Sequence, residues 1–344
     1  MTTMYLIRHA QCDGNLYRQY DGWYDTPLTK LGRQQAAKVG ERFQDVPIDA
    51  IYASDEQRAI QTAEAIATRK GLTVSTRSDL RETNYGLWEH MQWADIAATW
   101  PGQLEEFSKG VEGWMVLGAD PTGVSAERIV NALWDIARKN EGRTVAVVSH
   151  GDILRLGLGR LHGWALAELG AKSPMSTNAA VSKLEFDGDE VRFIYEHDWS
   201  HLPPELVTQR SPYASRGLRY RFLAMEEAFP IEGLEDFSVD RTEGIWIGGW
   251  YKDTPASLVQ LCHTAYGQPA KIGFYYIAPE MRGHQLGIQP MGQVIDLCRR
   301  LHLDSVRLYC PEEEKHPFFS KWDNFEPVGG GWWERAIPPI PELR

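Results

Sequence analysis

Two short aliphatic runs in this chain each end in a histidine. Met4-Tyr5-Leu6-Ile7 leads into Arg8-His9, and Thr144-Val145-Ala146-Val147-Val148 leads into Ser149-His150-Gly151. A neutral imidazole, with an unperturbed pKa of about 6.5, is a competent nucleophile near neutral pH. A second arginine, Arg58, follows Ser54-Asp55-Glu56-Gln57. That stretch has the form of a capping box, with Ser54 at the cap and Gln57 reaching back. A helix start offers free backbone N–H groups and a partial positive charge, which favour an anion, and an arginine there adds a fork that fits phosphate. Leu80-Arg81-Glu82 places a carboxylate after a strand-like stretch, Leu72 to Val74. Taken singly, these are ordinary strand-capping histidines, a solvated arginine and a surface glutamate. Together they are a phosphate-binding kit, able to position a phosphoryl group and neutralise its oxygens without a metal.

The elements that must hold these residues follow from pattern. The aliphatic runs predict buried strands of a parallel sheet. In open α/β sheets ligands bind at the carboxyl ends of the strands, which puts both histidines on the functional edge. Ile60, Ala63, Ile66 and Ala67 recur at helical spacing behind Arg58. Ala180 to Phe186 and Glu190 to Tyr195 alternate as a hairpin around Asp187-Gly188-Asp189.

Arg8-His9-Ala10-Gln11, Asn15, Gly22-Trp23, Pro27-Leu28-Thr29, Gly32, Ser54, Arg58, Gln61-Thr62-Ala63, Leu80-Arg81-Glu82, Tyr85-Gly86 and Ser149-His150-Gly151 follow one another in order. This set resembles the histidine phosphatase superfamily, the group related to cofactor-dependent phosphoglycerate mutase, over about the first 200 residues. The resemblance implies that His9 takes the phosphoryl group, that Arg8, Arg58 and His150 hold its oxygens, and that Glu82 gives the leaving group its proton. It places Asn15, Asp21, Gly22, Tyr85 and Gly151 around the substrate. Three positions depart from the pattern: Ala10 and His90 stand where glycine is usual, and Val124 replaces a frequent glutamate. They bear on substrate fit rather than on the reaction. Mutases of the family carry extra arginines in the insert after the glutamate. Here Thr83 to Gly118 is rich in tryptophan and acidic residues and holds little basic charge beyond Lys109, which favours a phosphatase. Its tryptophans read equally as a packed helical lid or as stacking surface.

The chain has 344 residues, enough for about two domains. A net charge of −11 argues against a nucleic-acid or anionic-membrane partner. Cys12, Cys262, Cys298 and Cys310 show no metal-site spacing. Reduced thiols in the cytoplasm are the expectation, with no signal peptide, no membrane-spanning run and Cys12 a bystander. The expected partner is a small phosphorylated metabolite. The sequence leaves the oligomeric state open.

A boundary is expected near Leu202-Pro203-Pro204, giving domains 1–203 and 204–344. Past it, Arg210, Arg216, Arg219 and Arg221 read as a linker or solvated face. Ile245 to Trp250 and Ser257 to Cys262 predict antiparallel strands, and Lys271 to Ile277 and Ser305 to Cys310 two more. Between the last two lies a helix with Val294, Ile295, Cys298 and Leu301 on one face. The loop before that helix, Arg282-Gly283-His284-Gln285-Leu286-Gly287, and the later Phe318-Phe319-Ser320-Lys321-Trp322-Asp323-Asn324-Phe325, resemble the Gcn5-related N-acetyltransferase (GNAT) fold. The resemblance implies that residues 282–287 meet the pyrophosphate of acetyl-CoA. Gln285 stands where the first glycine is expected, and no tyrosine falls at the general-acid position. The expected fold is α/β: a doubly wound, mostly parallel, phosphoglycerate mutase-like sheet followed by an α+β GNAT-like domain. Three readings follow. One is a phosphohydrolase needing no cofactor with an appended GNAT-like domain that binds acetyl-CoA weakly at best. Another is a bifunctional phosphatase and acetyltransferase, and the third a scaffold with a relic site. A phosphoglycerate-type mutase is a further alternative to the first. Activity is expected to survive a cut near Pro203.

Overall fold

The computed structural model describes residues 1–109, 114–173, 175–208, 217–234, 243–262, 268–283, 286–312, 315, 318–319 and 324–338. The first aliphatic run forms β1 (Thr2–Arg8), followed by a short helix α1 (Asp13–Tyr17) and by α2 (Lys30–Arg42). Then come β2 (Ala50–Ser54), α3 (Gln57–Lys70) and β3 (Val74–Arg77). α4 (Trp93–Thr99) and α5 (Pro101–Lys109) precede the long α6 (Thr122–Lys139). The second aliphatic run is β4 (Thr144–Ser149), and α7 (Gly151–Leu161), α8 (Leu169–Lys172), β5 (Val181–Asp187) and β6 (Glu190–Asp198) complete the region.

The sheet order is β3-β2-β4-β1-β5-β6. β1 to β4 run parallel, and the β5–β6 hairpin adds an antiparallel edge. The pleat of the two central strands explains why both runs are apolar throughout. Met4, Leu6, Val145 and Val147 pack on one face with Ile129, Leu133 and Ile153 of α6 and α7. Ile7, Ala146 and Val148 pack on the other with Val39, Ala63 and Ile66 of α2 and α3. Arg8 pairs in register with Ser149, so His9 and His150 leave the sheet side by side.

Two local expectations are corrected. The third strand begins at Val74, not Leu72. Ser54 ends β2, and Glu56 is the residue at the cap of α3. The donor that a capping box would satisfy is taken instead by Asp25, whose Oδ2 accepts from Gln57 N at 2.7 Å.

The second region is a separate mixed sheet. Its elements are β7 (Leu218–Phe222), β8 (Ile245–Tyr251), β9 (Thr254–Cys262), β10 (Ala270–Ile277), α9 (Ile288–Arg300), β11 (Ser305–Tyr309), β12 (Glu326–Gly329) and β13 (Trp332–Ala336). The order is β12-β13-β11-β10-β9-β8-β7. Every pairing is antiparallel except β10 with β11, which run parallel over Ala270–Ile272. Val294, Ile295 and Cys298 are fully buried as expected. Leu301 is not: it follows the last turn of α9 and is 43% exposed. Arg219 and Arg221 are exposed on the edge strand β7, the solvated face of the two alternatives, while Arg210 and Arg216 lie outside the described residues.

The two regions meet at α1. Leu16 and Tyr17 of α1 pack with Ile247, Val259, Met291 and Val294. Beside them Asp13, 0% exposed, takes Arg299 at 2.7 Å and Arg335 at 2.5 Å on one carboxylate oxygen. A cut near Pro203 strips that cover and both cations from α1, so the expected independence of the first region is at odds with its packing. No helix among the described residues is long and apolar enough to cross a membrane.

Candidate active site

The carboxyl ends of β1, β2 and β4 gather the predicted residues. His9 follows β1 and is buried. Its Nδ1 lies 2.7 Å from Ala10 O. A carbonyl only accepts, so Nδ1 carries the proton and Nε2 keeps its lone pair. Burial, His150, Arg58 and Arg8 hold the imidazole well below its usual pKa, and so neutral. Asn178 ties the turn together, its Nδ2 donating to His9 O at 3.2 Å and to Asn15 Oδ1 at 2.8 Å. The methyl of Ala10 is accommodated, buried beside Leu28 and Ala36.

His150 caps α7, with its ring centroid 5.1 Å from that of His9. Arg58 Nε donates to His150 Nδ1 at 3.1 Å, which fixes the His150 proton on Nε2. Burial and Arg58 hold His150 neutral too. The Arg58 guanidinium is 1% exposed and strung between backbone carbonyls: Tyr24 O at 3.2 Å, Asp21 O at 3.0 Å and Gly22 O at 2.7 Å. Arg8 Nη1 donates to Ser176 O. A Cβ on Gly151 would sit 3.0 Å from Arg8 Cζ, so glycine lets that guanidinium approach the start of α7.

Glu82 is also buried. Its Oε1 accepts from Thr83 N at 2.9 Å and Ile153 N at 2.7 Å, and its Oε2 from Asp152 N at 3.0 Å. Those amides favour the ionised form. Burial, joined by the Asp152 charge, outweighs them and pushes the carboxyl up to about 7. A cavity of about 20 Å³ beside it is lined by Thr83, Phe107, Asp152 and Arg155. That is room for a water molecule.

Asp21 and Tyr85 reach the site differently from the expectation. The Asp21 carboxylate turns to Thr26, 2.6 Å from its Oγ1, and only its backbone carbonyl meets Arg58. Tyr85 is buried with its hydroxyl donating to Asp152 Oδ2 at 2.6 Å. A Cβ on Gly22 would fall 2.4 Å from Thr83 O, so glycine is a steric need of the loop around Arg58.

Sequence reasoning missed Glu56, Asp25, Asp152 and Asn178, and it passed over Glu89. Glu89 organises the Arg58 loop, accepting from Gly22 N, Trp23 N, Tyr24 N and Tyr85 N at 2.8–3.1 Å. Glu56 Oε2 lies 2.7 Å from Arg58 Nη2 and 2.8 Å from His150 Nε2. The available signal was carboxylate density around Arg58, unusual for an anion site. His90 adopts φ = 63°, the left-handed conformation that glycine adopts readily. It is held there by stacking on Tyr24 at 3.9 Å and by Asp296 Oδ1, 2.6 Å from its Nε2. Val124 is exposed, which explains why its loss of charge is harmless. Trp88 and Trp114 are buried against Phe107, Tyr20 and Tyr85, as in a packed lid. Burial pushes the Cys12 thiol up to about 11, leaving it unreactive.

The second candidate loop is less complete. His284 and Gln285 lie outside the described residues. Arg282 is exposed, donates to Ile277 O at 3.0 Å and covers the Tyr276 ring. Gly283 has φ = 77° and open space around it. Leu286 is buried against Ala94 and Leu218, and Tyr275 OH donates to Gly287 O at the start of α9.

Comparison with known proteins covers the first region. A profile of the Histidine phosphatase superfamily (branch 1) matches residues 4–198. The probable phosphoglycerate mutase GpmB of Salmonella paratyphi A is 30% identical over 189 residues, 54% of this chain and 86% of the relative. The structure of YhfR from Bacillus stearothermophilus matches with a TM-score of 0.56 at 30% identity, over 58% of this chain and 99% of that one. A mycobacterial glucosyl-3-phosphoglycerate phosphatase matches with a TM-score of 0.51 at 25% identity, over 57% and 98%. The chain belongs to the histidine phosphatase superfamily, whose members are phosphatases and mutases acting on phosphorylated metabolites.

Proposed function

We propose that this chain is a metal-independent phosphomonoester hydrolase that works through a phosphohistidine on His9. The observation that carries this is the tautomer of His9: Nδ1 held by Ala10 O, Nε2 free to attack, and the ring kept neutral. His9 Nε2 attacks phosphorus while Arg8, Arg58 and His150 hold the phosphoryl oxygens. The bond to the leaving oxygen breaks, and that oxygen takes the proton of Glu82. Oε2, with one amide donor against two on Oε1, is the Glu82 oxygen with room for that proton. Water then attacks the phosphohistidine and gives its proton back to Glu82, and the P–N bond breaks to release phosphate and neutral His9. Asn15 and Gly151 steady the turn after His9 and the position of Arg8. Hydrolysis is favoured over mutase chemistry because Lys109, the one Lys or Arg in Thr83 to Gly118, pairs with Glu105 and Glu106. The relatives named for phosphoglycerate and glucosyl-3-phosphoglycerate support a small phosphorylated metabolite as substrate.

The test is turnover of an aryl phosphate in the presence of a chelator. Wild type is expected to hydrolyse it and to form an acid-labile phosphoenzyme. His9→Ala is expected to do neither. Loss of wild-type activity with chelator, or activity in His9→Ala, overturns the reading.

For the second region we read a GNAT-like domain, residues 204–344, that binds acetyl-CoA weakly and transfers nothing. The supporting observation is the opening of its sheet. β10 leaves β11 after Ile272 while staying paired with β9 to Ile277, and β11 continues along β13 to Tyr309. The place where β10 and β11 part is where an extended, amide-bearing ligand would lie. Tyr275 and Phe318 crowd the helix start at Gly287, which limits affinity.

A further inference from the structure

Glu56 is the buried acidic group that the mechanism leaves without a part. It stands at the cap of α3, yet its side chain caps nothing, because Asp25 already accepts from Gln57 N. It is 4% exposed, and its Oε1 has no hydrogen-bond partner. Its Oε2 is where Arg58 Nη2 and His150 Nε2 converge, at 2.7 and 2.8 Å. A carboxylate oxygen there makes the contacts that a phosphoryl oxygen would make. His150 has a single proton, on Nε2, because its Nδ1 accepts from Arg58. Oε2 fills the space in front of Nε2 at 2.8 Å without a formed hydrogen bond, so a phosphoryl oxygen reaches that proton only where Oε2 has withdrawn.

We propose that Glu56 is a proton-taking gate of the phosphoryl pocket: the ionised carboxylate occupies the anion's place, and a phosphate dianion enters as Glu56 takes one proton from solvent and yields Arg58 and His150 to it. This rests on the phosphohydrolase reading and adds a regulation to it. Neutral Glu56 can then donate its proton to a phosphoryl oxygen. The groups facing Glu56 are mixed in sign. Arg58 lies on its own helix, Arg81 follows β3, Arg128 projects from α6, and His150 follows β4, while Asp55 and Asp25 come from adjacent loops. Burial dominates and, with Asp55, outweighs Arg58 and Arg81, pushing the carboxyl up to about 7. A nearby dianion raises it further, so anion affinity falls as pH rises through neutrality.

The probe is sulfate, a dianion that does not titrate in this range. Its binding to the full chain is followed by calorimetry at pH 7.5 in two buffers of different ionisation heat. Wild type is expected to take up roughly one proton per sulfate, and its affinity to fall about tenfold per pH unit above 7.5. In Glu56→Gln made on the Glu82→Gln background, which removes the other carboxyl raised to about 7, the uptake should vanish and the affinity become flat with pH. Glu56→Leu, which also removes the charge, should behave alike. Glu82→Gln should keep the uptake, since its titration is a separate one. Wild type binding sulfate without proton uptake overturns the gate, as does uptake that persists in both Glu56 variants or disappears in Glu82→Gln. Absence of aryl phosphatase activity in wild type would instead remove the underlying reading, whatever the calorimetry gives.

Discussion

Both regions end a strand in a turn that leads to a helix, and the two turns differ in how much is already in place. At β4–α7 and β2–α3 every cation has a fixed post. Arg58 is held by three backbone carbonyls and Glu82 by three backbone amides. At β10–α9 the arginine is exposed and the helix start is occupied from within by Tyr275. Electrostatic stabilisation is strong when donors and charges need no reorganisation at the moment of reaction. The first turn has the fixed charges that chemistry needs, and the second does not. Yet the first is not self-sufficient, because α1, beside the nucleophile, is packed by the second region.

The largest expected effect breaks that dependence. Asp13→Ala takes from the buried Arg299 and Arg335 the carboxylate oxygen they share, which should cost about 3–5 kcal/mol of stability. Chemical denaturation measures it, and turnover should fall with the folded fraction. A change below about 1 kcal/mol, within the usual worth of an exposed pair, would mean that the regions are only loosely joined.

Next in size is Glu82→Gln, which tests how fixed the first site is. Alkyl phosphates should slow by roughly 10²–10⁴-fold, and aryl phosphates with good leaving groups far less. With the folded pKa raised to about 7, Glu82 holds its proton below neutrality and loses it above. Wild-type turnover of alkyl phosphates should therefore fall as pH rises past 7, and that limb should be absent with aryl phosphates. Equal loss on both substrate classes would take Glu82 out of the acid role.

The smallest effect probes the second turn. Arg282→Ala should weaken acetyl-CoA binding by no more than a few-fold, since an exposed charge contributes under about 1 kcal/mol. Calorimetry on the full chain reads it. Tight binding by wild type, or acetylation of a small amine, would place the two turns on an equal footing.

What the sequence made legible follows the same division. The central strands were readable because parallel strands buried on both faces must be apolar at every position, and Met4–Ile7 and Val145–Val148 are. Arg8, His9 and His150 were readable because they attach to those strand ends, whereas Arg58 and Glu82 drew their weight from the ordered set of family residues around them. The cap of α3 was misread because the capping carboxylate, Asp25, lies some thirty residues away, and no local pattern can show that. α1 was invisible: Asp13-Gly14-Asn15-Leu16-Tyr17 is too short to show a period and contains a poor helix former. Glu56 looked like part of a cap and proved to be part of the site. Arg219 and Arg221 read as linker or solvated face alike, because an edge strand carries charge outward as readily as a loop does. Leu301 kept the apolar spacing of α9 one residue beyond its end.

The five residues of α1 also set how the molecule comes apart. One of their side chains, Asn15, belongs to the turn that orders His9, and two others, Leu16 and Tyr17, belong to the core of the second sheet. The second sheet cannot melt without uncovering α1, which also carries part of the turn at His9, so heating should give one calorimetric transition, not two. Any segment put in place of the second region would have to bring buried arginines to the same carboxylate.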